Sequence, residues 1–293
     1  MVAKCKTKFQ SSSLYSYKKN KLFYNGINLV DLIPTLPTPF YLYTLDAVTN
    51  NVMAFQQAFS QVGLNDLLLC YALKANPNPH ILSHVRQLGT GADIVSKGEL
   101  AAAIKAEISP EKIVFSGVGK TKDEIMQALS IGLHGIRAFN VESIEELDLI
   151  LSCAKETNKI AHVAFRLNPS IKAPTHHLIS TGNKSHKFGL LAKDILETLP
   201  LFKSRQLYRK HLKLVGVSVH IGSQLLTFRA SKNAFRLLAS LALEISDFLK
   251  RPLEFLDVGG GLGIAYHHHS MTQAHFHAYA QAVKSGIAPY LDR

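Results

Sequence analysis

With 293 residues the chain can bury one barrel-sized core or two smaller ones, and it has no run of about 18 uncharged apolar residues that would span a membrane. The excess of 33 lysines and arginines over 21 acids, a formal charge of +12, is spread along the sequence and gives no focused nucleic-acid footprint. Cys5, Cys70 and Cys153 form an odd set without CxxC spacing, which fits a reducing, cytoplasmic protein.

The first 21 residues, MVAKCKTKFQSSSLYSYKKNK, hold six lysines and no acid, but no apolar segment of a secretory signal. They read as a basic terminus, with a transit peptide as the alternative. KLFYNGINLVDLI then reads as one or two short strands turning at Asn25-Gly26. Residues 1–38 are therefore set apart as a basic tail plus short strands of a second β domain.

From residue 39 to 293, short apolar runs alternate with amphipathic stretches, the rhythm of repeated βα units and a helix-covered parallel sheet. Predicted strands are FYLYTL (40–45), LLLCYALKA (67–75), GADIVS (91–96), KIVFSG (112–117), GIRAFN (135–140), AHVAFRLN (161–168), LVGVSVHIG (214–222) and EFLDVGG (254–260). Helical segments such as KGELAAAIKAE, TKDEIMQALSIG and VESIEELDLILSCAKE lie between them, and Thr121 with Glu124 makes a capping box.

In a βα barrel, side chains and loops converge at the C-terminal ends of the strands. Those ends carry Lys74, Asp93 with Ser96, Ser116-Gly117, Asn140, Arg166 with Asn168, His220 with Ser223, and Gly259-Gly260-Gly261. An apolar strand finishing on an amine is expected to dehydrate it, lower its pKa and free a nucleophile; a snorkelling surface lysine is the alternative for Lys74. DVGGGLGI suits an anion on backbone N–H groups, although tight packing also explains such glycines. SGVGKT ends like a phosphate-binding loop, but Val114 stands where that motif needs glycine, so Lys120 reads as a solvated loop residue. His267, His268 and His269, with His275 and His277 nearby, lack the carboxylate or fixed spacing of a metal site, so no metal is expected.

YALKAN, GADIVSKGEL, FRLNP, HHLISTGNKSHKFGL, HIGSQ and DVGGGLGI, in this order, resemble the alanine-racemase-fold, fold-type III pyridoxal-phosphate decarboxylases. The STG and KFG segment places the resemblance in the diaminopimelate branch rather than with ornithine, arginine or carboxynorspermidine decarboxylases. The resemblance implies a TIM-type (β/α)8 barrel and decarboxylation of meso-2,6-diaminopimelate to L-lysine with pyridoxal 5'-phosphate. It implies that Lys74 holds the cofactor covalently, that His220 stacks on its ring, and that Ser223, Gly260 and Gly261 hold its phosphate. Asp93, Glu99 and Arg166 would organise the wall around Lys74. The partner is then a small amino acid, and the family is homodimeric.

The chain departs from this pattern at its end. The EPGR and CES-type segments that follow DVGGGLGI in the family do not occur within these residues, so about seven barrel strands are expected, with a seam left open or covered by a helix. Low activity of these residues alone, and a non-catalytic cofactor-binding role, are the corresponding expectations. Lys97 stands where the family carries a small residue and is expected to crowd the phosphate side.

Overall fold

The computed structural model describes residues 15–132, 134–171, 188–264 and 273–291. At the N-terminus, β1 (Tyr15–Lys18), β2 (Lys21–Tyr24) and β3 (Ile27–Asn28) form an antiparallel sheet of their own, with the expected turn at Asn25-Gly26, both at positive φ. The Asn28 side chain caps a one-turn helix, α1 (Leu29–Leu32). FYLYTL is not a strand: residues 40–44 are irregular and α2 (Leu45–Gln61) starts where the last residue of that run was placed. Pro37 and Pro39 supply no N–H to a ladder, and the following DAVTNNVMAFQQAF carries the helical period.

The βα series then runs β4 (Cys70–Ala72), α3 (Pro79–Gln87), β5 (Gly91–Ile94), α4 (Lys97–Lys105), β6 (Ile113–Phe115), α5 (Lys122–Ser130), β7 (Ala138–Val141), α6 (Ile144–Glu156) and β8 (Ala161–Leu167). It continues through α7 (Ala192–Thr198), α8 (Leu201–Ser204), α9 (Gln206–His211), β9 (Leu212–Val219), α10 (Arg229–Leu249), β10 (Phe255–Asp257) and α11 (Gln273–Leu291). Strands β4 to β10 form one sheet in sequence order, every pair parallel. The capping box at Thr121 and Glu124 is present and starts α5.

The two-residue period of the strands separates two apolar layers. Phe115, Phe139 and Phe165 face the helices, where Phe115 stacks on Phe139 at 6.1 Å and Phe165 meets Phe202 edge-on at 6.1 Å. The inward neighbours Ala138, Ala164 and Val215 form a second, small cluster with Phe255. Gly216 makes room for that ring: a Cβ there would lie 2.7 Å from Phe255.

The sheet is curled into an unclosed barrel of the (β/α)8 type. Asn140 on β7 and Asp257 on β10 are three strand places apart, about 14 Å in a flat sheet, yet the Asn140 amide donates to Asp257 Oδ2 at 3.2 Å across the interior. On the outside, α2 packs on α11, with Phe55 5.9 Å from Phe276 and 6.0 Å from Tyr279. The helices that flank the two end strands in sequence are thus neighbours in space, although β4 and β10 do not pair among the described residues. No described helix is long and apolar enough to cross a membrane.

Candidate active site

The inward faces of the strands assemble a polar floor at the C-terminal mouth. Arg166, Ser218 and Asp257 are register partners on β8, β9 and β10, so they share the interior face. Ser116 donates to Asp93 Oδ1 at 2.6 Å and accepts from the Asn140 amide at 3.1 Å; the same amide reaches Asp257. A continuous hydrogen-bonded chain, Asp93–Ser116–Asn140–Asp257, therefore crosses the barrel. Asn140 Oδ1 and Ser218 Oγ are buried at this floor without a hydrogen-bond partner among the described residues, which suits it to a polar ligand.

Burial pushes the Asp93 carboxyl up to about 6, and the Asp257 charge adds to this; the Ser116 bond and the Lys74 and Arg166 charges pull the other way. Asp257 is likewise raised by burial, against bonds from Gly259 N–H and the Asn140 amide.

Lys74 lies on a 3-10 turn, Leu73–Ala75, that directly follows β4. The turn directs Leu73 into the core and leaves Lys74 exposed in the mouth, so the expected dehydration of this amine is not what the fold provides. Its charge acts on both Asp93 and His220. His220 directly follows β9, and burial, then the Arg166 and Lys74 charges, pull its imidazole down to about 4. The ring is neutral near pH 7; because Nδ1 accepts from Gly260 N–H at 3.3 Å, its proton sits on Nε2.

The glycine run wraps this ring. Gly259 and Gly261 hold φ of +68° and +91°, and a Cβ at these positions would fall 2.3 Å from Val219 O and 1.9 Å from Gly222 O. Leu225 N–H donates to Gly261 O at 2.8 Å, and the Gln224 side-chain amide bonds Ile264 N and O at 2.7 and 2.9 Å, lacing the β9 and β10 loops into one wall. Tyr279 of α11 supports it from behind by donating to Gly259 O at 3.2 Å. Space over Gly260 is open, and Ser223, next in sequence to the Gly222 that Gly261 packs against, is exposed. An accessible amine, a flat neutral ring and a glycine and serine wall suit a flat, anionic aldehyde such as pyridoxal phosphate.

Asp93 and His220 each lie within the fields of Lys74 and Arg166, and Gly260 and Gly261 border the His220 ring, with Ser223 exposed in the loop after β9. Glu99 is not part of this wall: its carboxylate accepts from Val95 N–H at 2.8 Å at the start of α4. Lys97 turns to Asp123 at 2.9 Å on the surface. Lys120 is a further correction. It is buried, and its amine donates to Gly117 O at 2.7 Å, Asn140 O at 2.8 Å and Glu146 Oε1 at 2.8 Å, three acceptors that replace hydration.

Sequence reasoning missed Asp257, Glu142 and Glu146. Asp257 stood inside DVGGG, where only the glycines drew notice; the two glutamates follow FNV at a strand end, a position that could have flagged them. The STG residues and His267 to His269 lie outside the described residues, while His275 and His277 lie on α11. Among the described residues no group of three His, Cys, Asp or Glu side chains could hold a metal ion.

Comparison with known proteins gives the family and the fold. Residues 45–292 match the family model described as pyridoxal-dependent decarboxylase, pyridoxal binding domain. Diaminopimelate decarboxylase of Aquifex aeolicus is 40% identical over 252 residues, covering 85% of this chain and 56% of that protein. The crystal structure of diaminopimelate decarboxylase from Helicobacter pylori complexed with L-lysine superposes with a TM-score of 0.80 at 40% identity, covering 89% of this chain and 63% of that one. The M. jannaschii enzyme in co-complex with L-lysine gives 0.82 at 33% identity, over 95% and 63% of the two chains. The chain thus spans about 60% of the length of these relatives.

Proposed function

The chain belongs to the pyridoxal-dependent decarboxylase family, and from that premise we propose that it serves the decarboxylation of meso-2,6-diaminopimelate to L-lysine, a cytoplasmic step of lysine biosynthesis. The observation that carries this reading is the meeting of Lys74, Asp93, Arg166 and His220 at one barrel mouth, bordered by the glycine wall. Relatives at about 40% identity bear the name diaminopimelate decarboxylase, and two solved ones hold L-lysine, the product of the proposed reaction.

In this reading Lys74 holds pyridoxal phosphate covalently, the neutral His220 ring covers its face, and Ser223 with Gly260 and Gly261 receives the phosphate. When bound, the cofactor supplies the electron sink for the pair left as CO2 departs. Asp93, with a carboxyl raised by burial to about 6 and within the field of the Lys74 charge, is the group suited to hold a proton moved from that amine. Burial first, and then the Arg166 and Lys74 charges, keep His220 neutral. Residues 39–293 act as the cofactor-binding barrel and 1–38 as strands of a separate β unit, in a homodimer that takes a small amino acid and no nucleic acid.

The test is release of labelled CO2 from carboxyl-labelled meso-diaminopimelate, ornithine and arginine by the gene's full product with added cofactor. Release from diaminopimelate alone, lost in Lys74→Ala, supports the proposal. Release from ornithine or arginine instead overturns the substrate, and release that survives Lys74→Ala overturns the site.

A further inference from the structure

Glu142 occupies the turn between β7 and α6, where it is almost wholly enclosed, with a side chain 2% exposed. Its Oε1 accepts from Arg166 Nη1 at 2.6 Å and from Gly117 N–H at 3.1 Å, and its Oε2 accepts from Gly189 N–H at 3.0 Å. One carboxylate therefore gathers donors from the ends of β6 and β8 and from the 188–190 segment.

That segment is fastened to β8 by further bonds. Leu190 N–H donates to Arg166 O at 2.8 Å, Asn168 N–H to Leu190 O at 2.8 Å, and the Asn168 amide to Phe188 O at 3.0 Å. The Phe188 ring lies 5.1 Å from the Arg166 guanidinium. Gly189 is required at this crossing: its φ is +74°, and a Cβ would meet Arg166 O at 2.8 Å. Arg166, at 11% exposure, is enclosed by these contacts, so its direction is set by what Glu142 and Phe188 hold in place.

We propose that Glu142 is a positioning residue for the barrel mouth: it aims the Arg166 guanidinium at the Lys74 and His220 site, balances its charge, and docks Phe188 to Leu190 on the same wall. The assignment rests on the functional reading above. A carboxylate is needed because it offers acceptors to three donors on two oxygens. A glutamine offers one oxygen, and its NH2 group would face an N–H or guanidinium donor.

The experiment compares wild type, Glu142→Gln, Arg166→Met and the double variant by titration with pyridoxal phosphate and by amide hydrogen exchange without it. Glu142→Gln should weaken cofactor binding about tenfold, the lower range for one charged hydrogen bond, and should speed exchange in the 188–190 segment. In the double variant the binding loss should equal that of Arg166→Met alone, since Glu142 acts through Arg166. Losses that add independently, or an unchanged 188–190 segment in Glu142→Gln, would overturn the positioning role. Failure of the wild type itself to take the cofactor would instead overturn the functional reading, while exchange at 188–190 still reports on the Glu142 docking bond.

Discussion

Lys120 and Glu146 form an ion pair of 2.8 Å whose side chains are 1% and 9% exposed. Burial lowers the Lys120 pKa and raises that of Glu146, and each partner opposes the shift of the other. Two carbonyls, Gly117 O and Asn140 O, complete the Lys120 shell and tie the loop after β6 to strand β7.

Lys120→Met should therefore cost about 3–5 kcal/mol of stability, because it strands a buried carboxylate. Adding Glu146→Leu should restore part of that loss. Urea denaturation of both variants is the check; equal losses in the single and double variants would show that the stranded charge is not the source of the cost.

Much of the architecture was legible in the chain. The parallel rhythm, the seven strands from YALKA onward, the Asn25-Gly26 turn and the Thr121 capping box rest on local chemistry, and local chemistry is what periodicity reads. The failures share a cause in tertiary contact. Lys120 was read as solvated since nothing in SGVGKT announces Glu146, 26 residues later, as its partner. Lys74 was read as dehydrated because an apolar run cannot show that a 3-10 turn will rotate Leu73 inward and the amine out. Asp257 gained its place only when the sheet curled to bring it to Asn140.

Opposed titrations give a pH test of the floor. Asp93 near 6 lies above its unfolded value of about 3.9, so its contribution to stability falls as pH rises from about 4 to 6. His220 near 4 lies below its unfolded value of about 6.5, so its contribution rises over nearly the same window. The two nearly cancel in the wild type. Relative to wild type, Asp93→Asn should gain up to about 3 kcal/mol between pH 4 and 6, while His220→Gln should lose a similar amount between pH 4 and 6.5, at about 1.4 kcal/mol per unit. Denaturation curves that run parallel to wild type across this range would remove both assignments.

Adjacent glycines separate wall geometry from mere flexibility. Gly261→Ala drives a Cβ into Gly222 O and strains a left-handed backbone, whereas a Cβ on Gly260 meets nothing within 4 Å. Pyridoxal phosphate titrations should show at least a tenfold loss for Gly261→Ala, about 1.4 kcal/mol, and a change of under threefold for Gly260→Ala. The reverse order would mean that the loop is not the wall described.

The central claim is that the barrel mouth is built around Lys74 as the carrier of pyridoxal phosphate. It is tested most directly by incubating the protein with the cofactor, reducing with borohydride and mapping the pyridoxyl group by peptide mass spectrometry. The account predicts one dominant modification, on Lys74, that disappears in Lys74→Ala without moving to another lysine. Label spread over surface lysines, or undiminished in Lys74→Ala, would contradict it.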